Sequence, residues 1–476
     1  MMTKEKWIKV LVSVIIAVAF YLIPYEAMGI ALNSVEKRVI SIFVIAALFW
    51  ILEPFPIWTT SMFVIVTMLL TVSNRGLLFM QTDSSGVPYA NLVSYKAIMA
   101  TFADPIIMLF LGGFFLAASA TKYRLDMNLA KVLLKPFGTQ PKFILLGLMM
   151  ITAIFSMFMS NTATTAMMLA ILAPVLALFD QNDKGRAAFA LSIPVAANIG
   201  GMGTPIGTPP NAIALKALSE SGLSVSFGKW MSFGVPYVIV LILIAWFVLL
   251  KVFPITKTSM VLNVGDRFLR TPKAIVVYVT FAATVILWVL GEDVHGMDSN
   301  TVAMIPMAVF ALAQIITKDD LKKMSWDVLW LVAGGFALGL GLQATGLAQN
   351  LIGSISFQTL PVFVLMISTG ILCLFMANFM SHTATAALLI PIIAAVGVSL
   401  GSSLDSLGGV TALLVSVAFA SSLGMSLPIS TPPNALAHAT GFVDTKGMAK
   451  VGIIIGVIGM VLTYLMMYTL AAFNVL

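Results

Sequence analysis

The sequence predicts an all-α polytopic membrane protein with two re-entrant helical hairpins in an inverted-topology repeat. Three observations predict it. Only 9% of the 476 residues are charged and 60% are hydrophobic, against roughly 25% and 45–50% in soluble domains. Apolar runs near the roughly 20 residues that a helix needs to cross a bilayer recur along the chain. Three short motifs recur in one order at nearly one spacing. The composition excludes a disordered chain, a disulfide scaffold and an ordinary soluble enzyme, because so much apolar surface cannot be hidden inside one water-facing globule. A net charge of +7 would hint at nucleic acid in a soluble protein. Here the basic residues sit in short loops between apolar runs, so they report orientation and no nucleic-acid partner is expected. Cys373 has no second cysteine with which to form an intrachain disulfide.

The elements follow in order. Lys4, Lys6 and Lys9 precede an apolar stretch over 10–23. No convincing small-x-small cleavage site follows, so a retained first helix is expected. Further crossings are expected at about 39–52, 57–73, 97–121, 230–250, 274–290, 301–317, 327–347 and 451–472. Loop charge orients them. Residues 122–142 carry Lys122, Arg124, Lys131, Lys135 and Lys142 against Asp126, and residues 251–273 carry Lys251, Lys257, Arg267, Arg270 and Lys273 against Asp266. Both loops belong in the cytoplasm. Residues 292–298 hold Glu292, Asp293 and Asp298 without Lys or Arg, which suits the outside. Lys318, Lys322 and Lys323 then bring the chain back in.

Two stretches do not fit simple crossings. No Asp, Glu, Lys or Arg lies between Lys142 and Asp180, and the polar turn Ser160-Asn161-Thr162 interrupts this apolar run. Both flanks belong in the cytoplasm, so two short helices entering and leaving on one side are expected. Between Asp327 and Asp405 His382 is the only residue among Asp, Glu, Lys, Arg and His. This stretch accommodates one crossing and a second hairpin, with its tip at Ser381-His382-Thr383, opening to the outside.

Self-comparison exposes the repeat. Gly112-Gly113-Phe114 recurs as Gly334-Gly335-Phe336, offset 222. The first hairpin tip recurs as the second at offset 221, and Thr208-Pro209-Pro210-Asn211-Ala212 recurs as Thr431-Pro432-Pro433-Asn434-Ala435 at offset 223. One match is chance; three in order mean duplication. The crossing at 97–121 should run inward and that at 327–347 outward, so the copies are inverted. Inverted repeats with Gly/Pro-interrupted segments at matching places point to a secondary transporter and to its site.

The segments 187–215 and 409–441 are broken at 200–211 and 424–434. Consecutive prolines cannot continue a helix. Broken backbone at membrane depth is tolerated where it is buried in protein or lines a cavity. After each break, and at each hairpin tip, a half-helix starts with free N–H groups and a positive dipole end. Four such termini, with Ser, Thr and Asn side chains, suit a carboxylate-bearing substrate. Carbonyls ending the preceding half-helices suit Na⁺. A membrane enzyme is disfavoured, because the apolar core offers one histidine and no clustered acids. A passive channel would show a continuous lined pore. Sulfate is an alternative anion within the same chemistry.

The paired tips and paired Thr-Pro-Pro-Asn segments resemble the divalent anion/sodium symporter family, the INDY or SLC13-type carboxylate transporters, over nearly the whole chain. The resemblance implies about 11 crossings with two re-entrant hairpins, the N-terminus in the cytoplasm and the C-terminus outside, in the plasma membrane. It implies a homodimer embedded in lipid, with a scaffold and a mobile transport domain that moves like an elevator. Succinate, malate, fumarate, 2-oxoglutarate and citrate are the substrates implied. By motif, Ser160, Asn161, Thr162, Ser381, His382 and Thr383 would hold carboxylates, with Thr208, Pro209, Thr431 and Pro432 closing the other side. Ser156, Ser160, Asn161 and Gly203 would form the first Na⁺ site; no other cofactor is implied. The domain reading is 1–96 mainly scaffold, 97–250 the first repeat, 251–300 a linker and connecting helix, and 301–476 the second repeat and last helix.

The second copy departs from the family. His382 stands where Asn is usual, Ala377 matches Ser156, and Ser426-Leu427 replaces Gly203-Thr204. Oxygen ligands for a hard cation are lost there, and a histidine donor to a dianion takes their place. The expectation is therefore sodium-independent dicarboxylate exchange, with Na⁺-coupled symport as the alternative.

Overall fold

Caps and proline set the helix ends. The computed structural model describes residues 3–83, 85–176, 179, 183–260, 268–354 and 361–473; Asp180, Asp266 and Arg267 lie outside them. Before the first hairpin come α1 (Lys4–Leu22), α2 (Ser34–Leu52), α3 (Ile57–Thr71) and α4 (Pro105–Lys122). The first hairpin is α5 (Pro141–Ser156) and α6 (Asn161–Leu176); the first broken helix is α7 (Gly185–Gly200) and α8 (Pro209–Glu220). Then follow α9 (Phe227–Val252), α10 (Pro272–Leu290), α11 (Ser299–Leu312) and α12 (Trp326–Ala344). The second hairpin is α13 (Val362–Phe379) and α14 (His382–Leu400), the second broken helix α15 (Gly409–Ser422) and α16 (Pro432–Ala439), and α17 (Thr445–Ala472) ends the chain. Among the described residues the only β pairing is two isolated bridges.

Among the described residues, seven helical segments are long and apolar enough to cross a membrane, and shorter apolar helices accompany them. The chain is a multi-pass integral membrane protein. Both arms of the second hairpin are among the seven. They nonetheless pack on each other and meet at a tip that lines an interior cavity.

The expected crossing at 301–317 stops at Leu312. Gln314 adopts a left-handed φ of 52°, and the Ile315 N–H turns back to Phe310 O at 2.9 Å. The apolar run continues past the helix because Ile315 and Ile316 are buried. The basic loop 122–142 also holds structure: Leu125–Leu134 is a short helix with one buried side.

The two copies exchange partners. Helix α4 packs on α11, and its counterpart α12 packs on α3. The matched glycines permit both crossings: a Cβ on Gly112 would lie 2.4 Å from Ala303 O, and one on Gly334 would lie 2.3 Å from Ser61 Cβ. Small residues at such crossings let membrane helices approach closely. Likewise α8 packs on α14 and α15, while α16 packs on α6 and α7. Every residue of Ala188–Gly200 in α7 and of Ala412–Ser422 in α15 is buried, so the first halves of the broken helices form the centre.

Helices α4 and α12 run antiparallel. Lys122 at the C-terminus of α4 bonds Asp320, just before α12, at 2.5 Å. At the other end Asp104, the α4 cap, pairs with Lys216 at 2.8 Å. Glu220, on the same turn of α8 as Lys216, meets Gln343 near the end of α12 at 3.3 Å.

Candidate functional site

A cavity of about 450 Å³ lies where the two copies meet. Ser160, Asn161, Thr162, Thr208 and Pro209 line it from the first copy, and Ser381, His382, Thr383, Thr431 and Pro432 from the second. Trp58, Phe110, Phe114 and Leu331 supply an apolar wall. Among the described residues no Lys or Arg lines the cavity, and Asp327 is its one acid.

The four half-helix starts differ, although the sequence reading treats them alike. Ser160 Oγ accepts the Ala163 N–H at 3.2 Å, and Ser381 Oγ accepts the Ala384 N–H at 3.1 Å. Each serine satisfies the third amide of its helix. The N–H groups of Asn161, Thr162, His382 and Thr383 are left without an intrahelical partner. By contrast α8 and α16 begin with two prolines, which remove two donors. Their contribution is the hydroxyls of Thr208 and Thr431, held in matching extended conformations (φ −150° and −146°). Two starts therefore offer N–H groups and two offer hydroxyls.

The paired asparagines close the breaks. Asn211 Nδ2 donates to Gly201 O at 3.0 Å and Thr204 O at 2.8 Å. Asn434 Nδ2 donates to Met425 O at 2.8 Å and Leu427 O at 3.1 Å. Carbonyls orphaned by the end of a half-helix are thereby satisfied.

Oxygens gather behind the first tip. The Asn161 amide faces Ala197 O at 3.3 Å, Gly207 O at 3.1 Å and Ser156 Oγ at 2.6 Å. With its nitrogen toward them it makes three hydrogen bonds. With its oxygen toward them four oxygens converge, a donor set that suits a hard cation such as Na⁺. Ser156 Oγ also reaches Ala197 O at 2.7 Å. Of the expected Na⁺ ligands, Ser156 and Asn161 belong to this cluster. Ser160 Oγ is engaged as a cap. Gly203 turns away, since a Cβ on Gly234 of α9 would lie 2.9 Å from Gly203 O.

The second copy replaces oxygens that the sequence reading counts as lost. Asn378, one residue beyond Ala377, accepts the Ser426 N–H on its Oδ1 at 2.8 Å. Ser430 Oγ donates to Asn378 O at 2.8 Å. In the first copy the Thr204 hydroxyl makes the equivalent bond to Met157 O. Ser430 thus takes the place of the hydroxyl missing at Leu427. His382 Nε2 lies 2.7 Å from Gly424 O. A carbonyl only accepts, so this nitrogen carries the ring proton. His438 bonds Val443 O through Nδ1 at 2.9 Å and closes the turn after α16.

A family model described as "Sodium:sulfate symporter transmembrane region" matches residues 4–473. The chain belongs to this family, the divalent anion/sodium symporters that its motifs resemble. It is a transporter and not an enzyme. The chain is 30% identical to the sodium-dependent high-affinity dicarboxylate transporter 3 of Caenorhabditis elegans, over 90% of this chain and 82% of that protein. It is also 30% identical to the sodium-dependent dicarboxylate transporter SdcS of Staphylococcus saprophyticus, over 89% and 84%. Among solved structures, the Alcanivorax borkumensis YdaH transporter shares the fold at 14% identity and a TM-score of 0.59, covering 88% of this chain and 98% of that one.

Four polar residues at or beside the site are not picked out as site residues by the sequence reading: Asn198, Asp327, Asn378 and Ser430. Asn198, Asp327 and Ser430 line the cavity. None falls in a repeated motif, which is the signal that finds the others.

Proposed function

We propose that this chain is a Na⁺-coupled symporter of di- and tricarboxylates of the succinate, malate, fumarate, 2-oxoglutarate and citrate class. The observation that carries the reading is that both hairpin tips and both Thr-Pro-Pro segments line one cavity without a fixed cation. Free N–H groups, hydroxyls and positive helix ends would hold carboxylates there. A dianion taken out of water needs compensating charge. Na⁺ held by Ser156 and Asn161 would supply some of it. The sodium-dependent relatives favour symport over the exchange expected from the sequence.

The proposal includes about 11 crossings and two re-entrant hairpins, the N-terminus in the cytoplasm and the C-terminus outside, in the plasma membrane. It also includes a homodimer in which α5–α9 and α13–α17 move, elevator-like, against a scaffold of the remaining helices. These divide the units 1–96, 97–250, 251–300 and 301–476 between scaffold and moving parts. The test is uptake of labelled succinate into proteoliposomes. Strong uptake driven by an inward Na⁺ gradient, with no internal dicarboxylate, is expected. Uptake that needs internal dicarboxylate and ignores Na⁺ would return the reading to exchange. Suppression by excess sulfate would move the substrate to inorganic anions.

A further inference from the structure

A polar residue outside every repeated motif joins the two broken helices. Asn198 of α7 is 1% exposed in a stretch where every neighbour is buried. Its partners fix its orientation. Asn434 gives its amide protons to Met425 O and Leu427 O, so its Oδ1 must face Asn198. Asn198 therefore presents nitrogen: Nδ2 donates to Asn434 Oδ1 at 3.2 Å and to Thr431 Oγ at 3.4 Å. Thr431 Oγ also accepts the Asn434 N–H at 3.2 Å. A hydroxyl has two acceptor lone pairs and one proton. Both lone pairs are engaged, so the proton is the hydrogen-bonding group that Thr431 has left for the cavity it lines.

Among the described residues the mirror-related contact, from Ser421 of the second copy to Thr208 of the first, is absent. Ser421 matches Asn198 at offset 223, but its Oγ donates within its own helix to Val417 O at 2.9 Å. Thr208 has no side-chain capping bond. The two matched threonines of the cavity are thus unequal: Thr431 is oriented by Asn198, and Thr208 makes no side-chain capping bond.

We propose that Asn198 is a positioning residue that makes Thr431 a fixed hydrogen-bond donor to one carboxylate of the transported anion. This rests on the reading of the cavity as the substrate site. Without Asn198 the Thr431 hydroxyl can turn and present a lone pair, which repels a carboxylate. The effect falls on anion binding through Thr431: Asn198 also lines the cavity, but its amide protons are spent on Thr431 and Asn434.

The test is Na⁺-driven succinate uptake in proteoliposomes by Asn198→Ala, Thr431→Ala, the double variant and Thr162→Ala, with a thermal melt for each. Asn198→Ala and Thr431→Ala should each raise KM about 10-fold, the loss of one charged hydrogen bond, with the maximal rate retained. The double variant should match Thr431→Ala alone. An unchanged KM in Asn198→Ala, or effects that multiply in the double variant, would overturn the inference. If Asn198→Ala does not fold, Asn198→Leu carries the test. It is neutral and close in volume but donates nothing, so it should raise KM in the wild-type background and not in Thr431→Ala. A raised KM in Thr162→Ala with none in Thr431→Ala defeats this inference alone. No change in either defeats the substrate site itself.

Discussion

At the scale of single residues, the proposed site gives hydroxyls and amides the work that basic side chains do in most anion sites. Thr162 is exposed and Thr383 is buried, yet both line the cavity. Thr162→Ala or Thr383→Ala should weaken succinate about 10- to 150-fold, the equivalent of about 1.5–3 kcal/mol for a charged hydrogen bond, read as KM. Gly201 has a different constraint. A Cβ there would lie 2.8 Å from Asn161 Oδ1 and 3.0 Å from Gly207 O. Gly201→Ala should displace the oxygen cluster and raise the Na⁺ concentration needed for half-maximal uptake. Outside the cavity lining, Asp320 reports on pH. Partial burial opposes its ionisation, but hydrogen bonds from Lys122 and Thr317 outweigh this and hold it at about 2, below the ordinary 3.8. A carboxylate depressed in the folded state stabilises fully above its unfolded value. That contribution disappears as pH falls from about 4 through about 2. Lys122→Met should lower the melting temperature at neutral pH and lessen its fall across that acid window.

At the scale of elements, the breaks show what the sequence made legible. Prolines and glycines at matching offsets predict interrupted helices, and the structure has α7/α8 and α15/α16 there. Asn211 and Asn434, which the repeat marks without assigning a role, turn out to be structural, because each spans its own break. Spacing shows which residues recur and leaves open which way a side chain turns. Asn198 was invisible for a related reason: its counterpart is Ser421, so self-comparison passes over it. Asn378 was missed because motif alignment holds a rigid register, and the useful amide sits one residue along. Two carbonyls lose their partner when either pinning asparagine is truncated, at about 1–3 kcal/mol each. Asn434 also anchors Asn198. Asn434→Ala should therefore lower the melting temperature more than Asn211→Ala, and equal losses would show that the link between the copies adds nothing.

At the scale of the molecule, loop charge predicted opposite directions for the two copies, and the antiparallel α4 and α12 agree. The exchange of partners between copies was not legible, since it depends on which helix surfaces fit and no periodicity encodes that. It has a consequence for movement. Asp327 and Trp58 line the cavity, and Asp327 follows shortly after Asp320, at the end of α4 marked by Lys122. At the other end Lys216 of α8 bonds Asp104 of α4 and Glu220, at 2.8 and 3.3 Å. This cluster ties a helix of the proposed moving part to two helices of the proposed scaffold. Asp104 is largely buried, so the pair is better shielded than a surface ion pair. If α8 slides past α4 and α12 during transport, these bonds must break, and they favour the conformation described. Lys216→Met should remove about 1–2 kcal/mol of that preference, a 5- to 30-fold shift toward the opposite-facing state. A cysteine at Thr162 in a Cys373→Ala background, labelled with an impermeant reagent from outside, reads the shift. Faster outside labelling in Lys216→Met is expected; an unchanged rate would mean that the ion pair travels with the moving part.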